Sequence, residues 1–339
     1  MGEVALRFLN GGFESTKGTG VAATRQIMGR ITNPNFNIPR DFIEEDRGTL
    51  VASTRFVEGV KDYTFSIAQE NGTTFEDIGW IFHTVVHGTA APSTINTAAY
   101  SRTFTPQTTA SGDTLKAATI EFGDDTQEFE CEYCEGEGFN LGFATLAVGQ
   151  AAPVTLTTDY ITQSLASNTK TTLSAPTVET ILATGATFSL GSDSTAYASL
   201  SAVTGSLRAY SMDYRNNLGR KVYVGDGTTF SNVGRGRRVV TFTAQVEGNS
   251  AGVTRFTEWD LGTYKRMRLL FQGQVISGSS PATTQKLQID GRFVLTEFDP
   301  IGEVDTNTTF QISGRYMPDT ALSDAEVQFL LVNGVSAYT

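Results

Sequence analysis

The sharpest metal-binding pattern in the chain joins His83 and His87, four apart, to Cys131 and Cys134 in a C-x-x-C pair. A helix puts the histidines on one face, and in number and type the four residues make a Cys2His2 zinc set. Position is the obstacle. Cys131 and Cys134 fall in a segment that reads as a strand, where side chains three apart point to opposite faces unless a turn intervenes. His83 and His87 also flank helix residues that must pack. Solvated helix histidines and small buried cysteines are the default reading, with no metal and no cofactor expected. Nucleophilic catalysis has less support, because no Ser occupies a G-x-S-x-G turn and the chain has only 2 His. The Gly-rich NGGFESTKGTG lacks a Gly before Lys17 and does not sit between a strand and a helix, which rejects a phosphate loop. The chain is therefore not expected to be an enzyme.

Two charged segments remain. In EFGDDTQEFECEYCEGEG, Glu128, Glu130 and Glu132 alternate with Phe129, Cys131 and Tyr133, so a strand would line its glutamates on one face. Such a row repels itself and must meet water, a cation or a basic partner. As catalytic groups these glutamates lack a partner, and glycosidase carboxylates usually come from different elements, so a solvated wall is the better reading. The segment GDGTTFSNVGRGRR gathers Arg235, Arg237 and Arg238 in a long hairpin loop. That loop is either solvated or pairs with an acidic patch on a neighbouring subunit.

The elements that would position these residues are mostly strands. A chain of 339 residues has room for two domains, each with its own core. Its 39% hydrophobic and 18% charged composition is that of a folded globule, and 34 Gly with abundant Thr and Ser points to turns and strands. The net charge of −11 argues against gripping nucleic acid, which takes clustered Lys and Arg. No apolar run reaches the roughly 18 residues of a membrane span, and MGEVALRFLNGG lacks the pattern of a secretory signal. A soluble product of a cytosol, away from membranes, is expected. Two cysteines cannot staple a fold of this size, so stability must come from packing and assembly.

Residues 1–40 read as an extended arm. The run ITNPNFNIPR cannot bury itself, and its isolated Phe36 and Ile38 would seek a groove on a neighbouring subunit. Residues 41–165 form the first domain. Alternation begins at Leu50 and Ala52 and is clearest at Tyr63, Phe65 and Ile67. TTFEDIGWIFHTVVH, at 73–87, switches to the spacing of one amphipathic helix packed on a sheet. A polar loop spans 89–114, then strands resume. Residues 166–204, rich in Ser, Thr and Ala, read as a long connection that partly packs. Residues 205–339 form the second domain, where VTRFTEWDLGTYK is a short helix among strands. The order strand, DYTFSIAQENG, helix in the first half against strand, VVTFTAQVEGN, helix in the second suggests an internal duplication.

The opening FESTKGTGVAATRQ resembles that of the tail tube proteins of long-tailed, siphovirus-type bacteriophages. The segment ATIEFGDDTQEFECEYCEGEGFNLGFATLAVGQAAPVTLTTDYIT is similar to the family's strand, hairpin, small-residue strand and closing strand, and VQFLLVNGVSAYT resembles its final strand. This resemblance implies a mainly-β chain of two β-sandwich or barrel tube domains, each with a flanking helix. It implies rings made by joining inner sheets edge to edge, here trimeric and pseudo-sixfold, and stacked into a tube. Partners would be further copies of the chain, a tape-measure protein, tail terminator or tip proteins, and double-stranded DNA that passes without specific binding. The setting would be the virion, assembled in the host cytoplasm. Glu128, Glu130 and Glu132 would line part of an acidic lumen, and Phe36, Ile38, Arg235, Arg237 and Arg238 would lie between subunits. Two other readings stand beside it: a monomeric β-sandwich binding module using exposed aromatics such as Trp80 or Tyr210, and another virion protein such as a decoration or terminator.

Overall fold

The computed structural model describes residues 6–48, 53–109, 115–144, 151–304 and 307–338, so the expected alternation at Leu50 and Ala52 lies outside the described residues. The fold is mainly β, with 52% strand and 9% helix. Its first half contains β1 (Phe8–Phe13), β2 (Arg25–Gln26), β3 (Arg30–Asn37), β4 (Arg40–Glu44), β5 (Ser53–Glu58) and β6 (Asp62–Gln69). Helix α1 (Asp77–Val85) follows, then β7 (Ser93–Thr94), β8 (Tyr100–Phe104), β9 (Ala118–Gly123), β10 (Glu128–Phe143) and β11 (Thr155–Thr162). Three short strands, β12 (Ala166–Ser167), β13 (Ala186–Ser192) and β14 (Ser201–Ala202), lead into the second half. That half has β15 (Leu207–Arg215), β16 (Leu218–Lys221), β17 (Asn232–Arg235), β18 (Val239–Glu247) and α2 (Ser250–Asp260). It ends with β19 (Lys265–Val275), β20 (Thr284–Val304), β21 (Asn307–Met317) and β22 (Val327–Asn333).

One antiparallel ladder of eight strands crosses the molecule in the order β3, β6, β11, β10, β15, β18, β21, β20. Two strands are long enough to bend out of it. The N-terminal part of β10 pairs with β9 and β12, and β9 carries β1. The N-terminal part of β20 lies between β19 and β22, which lead on to β13 and β8. The two halves are wired alike. In each, a hairpin separates the first two strands of the ladder (β4–β5 and β16–β17), and a helix follows the second. Each bent strand has a bulge at the same place, between Gly136 and Gly138 in β10 and between Leu295 and Glu297 in β20.

Alternation explains the ladder. In β18, Val240, Phe242, Ala244 and Val246 are buried, while Thr241, Thr243 and Gln245 between them are half-buried on the other face. Most of the buried apolar side chains of both halves merge into one core that takes in Leu9 and Tyr338, with small clusters such as that of Ala117, Tyr133 and Phe230 beside it.

Several expectations need correction. The described part of the expected arm, residues 6–40, is not extended and free: β1 pairs along its whole length with β9, Leu9 is buried, and β3 pairs with β6. Helix α1 has no solvent-facing side: all nine of its residues are buried. The N-terminal segment covers its outer side, with Phe13 stacked on Trp80 at 5.1 Å. Gly11 allows that approach, since a Cβ there would lie 2.7 Å from the Trp80 ring. Asp77 fixes the same segment, accepting hydrogen bonds from Arg25 (2.6 and 3.0 Å) and from the Met28 amide (3.0 Å). Within the supposed polar loop 89–114, β8 pairs with β22 and buries Arg102. Within the supposed connection 166–204, β13 pairs with β19 over seven residues.

Candidate functional site

The four metal candidates are not brought together. His83 lies against the rings of Phe13, Phe104 and Tyr338, and its Nδ1 donates to the Gly88 carbonyl at 3.1 Å, which sets the neutral tautomer. Burial, followed by the nearby Lys116 charge, lowers its pKa to about 4. His87 Nε2 is 3.1 Å from the Thr89 hydroxyl, and its Nδ1 is 3.4 Å from the Gln107 amide. Cys131 and Cys134 are both buried, because a register shift between them and Tyr133 at φ 52° turn the chain so that both thiols point inward. The Cys134 thiol donates to the Cys131 carbonyl. Among the described residues no group of three or more His, Cys, Asp or Glu is arranged to hold a metal ion.

The glutamate row is covered. Glu128 accepts from the Lys170 amide (2.7 Å), Glu130 from the Asn168 side chain, and Glu132 from the Ser164 hydroxyl (3.1 Å). All three are half-buried beneath residues 164–170, so they are not an open solvated wall. Beside them Glu121 is buried and accepts from the amides of Ala23 and Thr171, and Glu14 accepts from those of Gly18 and Tyr133. Burial raises the pKa of Glu14. Burial, then the charges of Glu132 and Glu121, raises that of Glu130.

The arginine cluster is largely spent within the chain. Arg235 faces buried Glu135 at 3.6 Å, and Arg238 binds Glu326 at 2.6 Å and the Gln107 carbonyl at 3.2 Å. Only Arg237 of the three is exposed. Ile38 is half-buried, as is Phe36, which packs on Tyr63 and Phe122 in its own chain. Trp80 and Tyr210 are buried, so neither is available as a surface binding aromatic.

What the fold does present is a broad polar face, formed by the side of the eight-stranded ladder turned away from the core. One row across it runs Thr155, Gly142, Ser211, Thr243, Ser313, Glu297, and the next runs Ala68, Thr157, Asn140, Asp213, Thr241, Arg315. Its acids are partly neutralised in place: the Arg215 guanidinium bridges Asp213 and Asp159, and Asp159 also accepts from the Ser66 hydroxyl at 2.7 Å. Asn140 and Ser211 exchange hydrogen bonds of 3.1 and 3.3 Å across the join between the halves. The sequence signal for this surface is the Thr-rich alternate positions of TLTTDYIT and VVTFTAQVE.

At its ends the ladder is open among the described residues. β3 pairs only with β6, and β20 pairs only with β21 beyond Val294. Both hairpins bear exposed apolar side chains: Phe42, Phe56 and Val57 on β4–β5, and Val222, Tyr223 and Val224 at the tip of β16–β17. The arrangement is a set of edges and faces suited to strand addition and subunit contact. No protein-family model and no curated protein matches the chain.

Proposed function

We propose that the chain is a structural tube subunit of the kind that long-tailed bacteriophages stack into tails, in which copies join into hollow rings that let double-stranded DNA pass. The eight-stranded ladder carries this reading. Its two like-wired halves are joined through strand edges inside one chain, and an edge of each kind stays open at its ends. A long open edge is a liability in a lone molecule, and head-to-tail pairing that closes on itself removes it. If the halves descend from a duplication, three copies supply six sheet units and a trimeric, pseudo-sixfold ring. The polar face then becomes the lumen wall, whose hydroxyls, amides and neutralised acids offer phosphates little counterion release. The apolar hairpins reach neighbouring rings, and a tape-measure protein and terminator or tip proteins complete the tail of the virion.

Negative-stain electron microscopy of the purified protein, with a solution mass, tests the reading. Hollow rings or tubes built from three-chain units are expected. A monomer at every concentration would favour the binding-module alternative, and rings that never stack would favour a terminator or decoration protein.

A further inference from the structure

The seam between the halves supplies a template for the seam between copies. Across it, β10 and β15 pair antiparallel with Gly138 opposite Arg215, Phe139 opposite Tyr214, Asn140 opposite Asp213, Leu141 opposite Met212 and Gly142 opposite Ser211. The ladder registers map each half onto the other. Thr64, Phe65 and Ser66 of β6 occupy the places of Thr241, Phe242 and Thr243 of β18, which sets Phe36 of β3 in the place of Tyr214 and Asn35 in that of Asp213. On the other edge, Phe298 takes the place of Phe139 and Asp299 that of Asn140, because both follow the shared bulge by the same number of residues. The helices agree with this mapping: Phe139 packs on Phe82 of α1, and Phe298 packs on Phe256 of α2.

We propose that β20 of one copy pairs antiparallel with β3 of the next in the register of that internal seam. Glu297 then lies opposite Asn37 of the next copy, Phe298 opposite Phe36, Asp299 opposite Asn35, and Gly302 opposite Thr32. This inference rests on the tube reading and specifies how its rings join.

The two edges are irregular in matching ways. β3 has an extra residue between Thr32 and Asn35, where Asn33 and Pro34 stand against a single residue of β6. β20 has an extra residue between Asp299 and Gly302, where Pro300 and Ile301 stand against a single residue of β21. Where the internal seam pairs, over Gly138–Phe143 and Tyr210–Arg215, it has no such interruption, and the shifts of β10 and β15 lie outside it. Proline cannot donate to a ladder and is confined to edges and bulges, so each interruption alone would spoil a regular partner strand. In the proposed register the two interruptions face each other, and the ladder is regular on either side of them.

Packing points the same way. Phe139 and Tyr214 stack at 5.0 Å with an interplanar angle of 5° and are fully buried where the halves meet. Phe36 and Phe298 are each only half-buried in one chain, so each has apolar surface left to lose when the counterpart arrives. Glu297, Asp299, Asn35 and Asn37 would face the lumen side, acid against amide, with no like charges directly opposed.

Two cysteine pairs placed at exposed positions test the register in full-length protein: Glu297→Cys with Asn37→Cys, and Asp299→Cys with Asn35→Cys. Glu297→Cys with Thr32→Cys is the displaced control. Under mild oxidation with diamide, both matched pairs should give covalent multimers between copies, about tenfold more than the control, because only there do Cα atoms approach within disulfide reach. Rings seen by electron microscopy in which the control links and the matched pairs do not would overturn the register and leave the tube reading standing. Failure of the unmodified chain to assemble at all would overturn both.

Discussion

At the scale of single residues, buried ionisable groups make the sharpest claims. The Asp77 carboxylate is 1% exposed and holds Arg25 and Met28 of the N-terminal segment against the start of α1. Removing it leaves a largely buried guanidinium unpaired, so Asp77→Ala should cost about 3–5 kcal/mol in denaturant unfolding. His83 and the glutamates act in opposite senses. The His83 pKa falls to about 4 in the folded chain, so the unfolded chain binds more protons between that value and the ordinary 6.5. Its contribution is therefore lost as pH falls through that window, on the order of 3 kcal/mol, and His83→Gln should flatten the acid limb of a stability profile measured from pH 7 to 4. Glu14 and Glu130 have raised pKa values, so the folded chain binds the extra proton and acid relieves their strain. Glu130→Gln keeps an acceptor for Asn168 and removes a charge facing Glu132 and Glu121. A higher melting temperature at pH 7, with the gain vanishing below the ordinary carboxylate range, is the expected result. A gain that persisted there would show that charge repulsion is not the cause.

At the scale of elements, the hairpins separate folding from assembly. Hairpin β4–β5 is a two-stranded sheet of its own, with Phe42 67% and Phe56 50% exposed and their rings 6.0 Å apart. An isolated hairpin is marginal in water and gains from a partner surface. Phe42→Ser with Phe56→Ser should leave monomer stability within about 0.5 kcal/mol per site while shortening or abolishing tubes in electron micrographs. Full-length tubes from this variant would remove the hairpin from the assembly contacts. The elements legible in the sequence were those whose pattern is local. β18 and β6 alternate, and the helix around Trp80 has helical spacing. The missed elements depend on distant partners. β1, FLNGGF, carries two glycines and no alternation, because Gly11 answers to Trp80 some seventy residues away. Helix α1 looked one-sided because the strand that buries its outer face could not be placed. The face of Cys131 and Cys134 turned on a bulge at Tyr133, a left-handed position that no residue type announces.

At the scale of the whole molecule, charge and surface chemistry fit the proposed passage of DNA without adhesion. A net charge of −11 repels a polyanion at long range, and on the polar face Arg215 is engaged by Asp159 and Asp213, while Arg315 is exposed. Binding to DNA gains chiefly from releasing counterions when basic groups meet phosphates, with log K falling by about 0.9 per phosphate contact for each decade of salt. A wall with so few cations has little such gain to offer, whereas one with added lysines has more. Assembled protein should therefore show no measurable affinity for short duplex DNA by fluorescence anisotropy near physiological salt. Ser211→Lys, Thr243→Lys and Ser313→Lys place three cations side by side in one row of the polar face. Rings of this triple variant should bind the duplex, weakly at physiological salt and steeply more tightly as salt is lowered. Equal binding by the unmodified rings would contradict the non-adhesive wall. Binding by neither would mean that the row is closed to DNA and that the polar face does not line the channel.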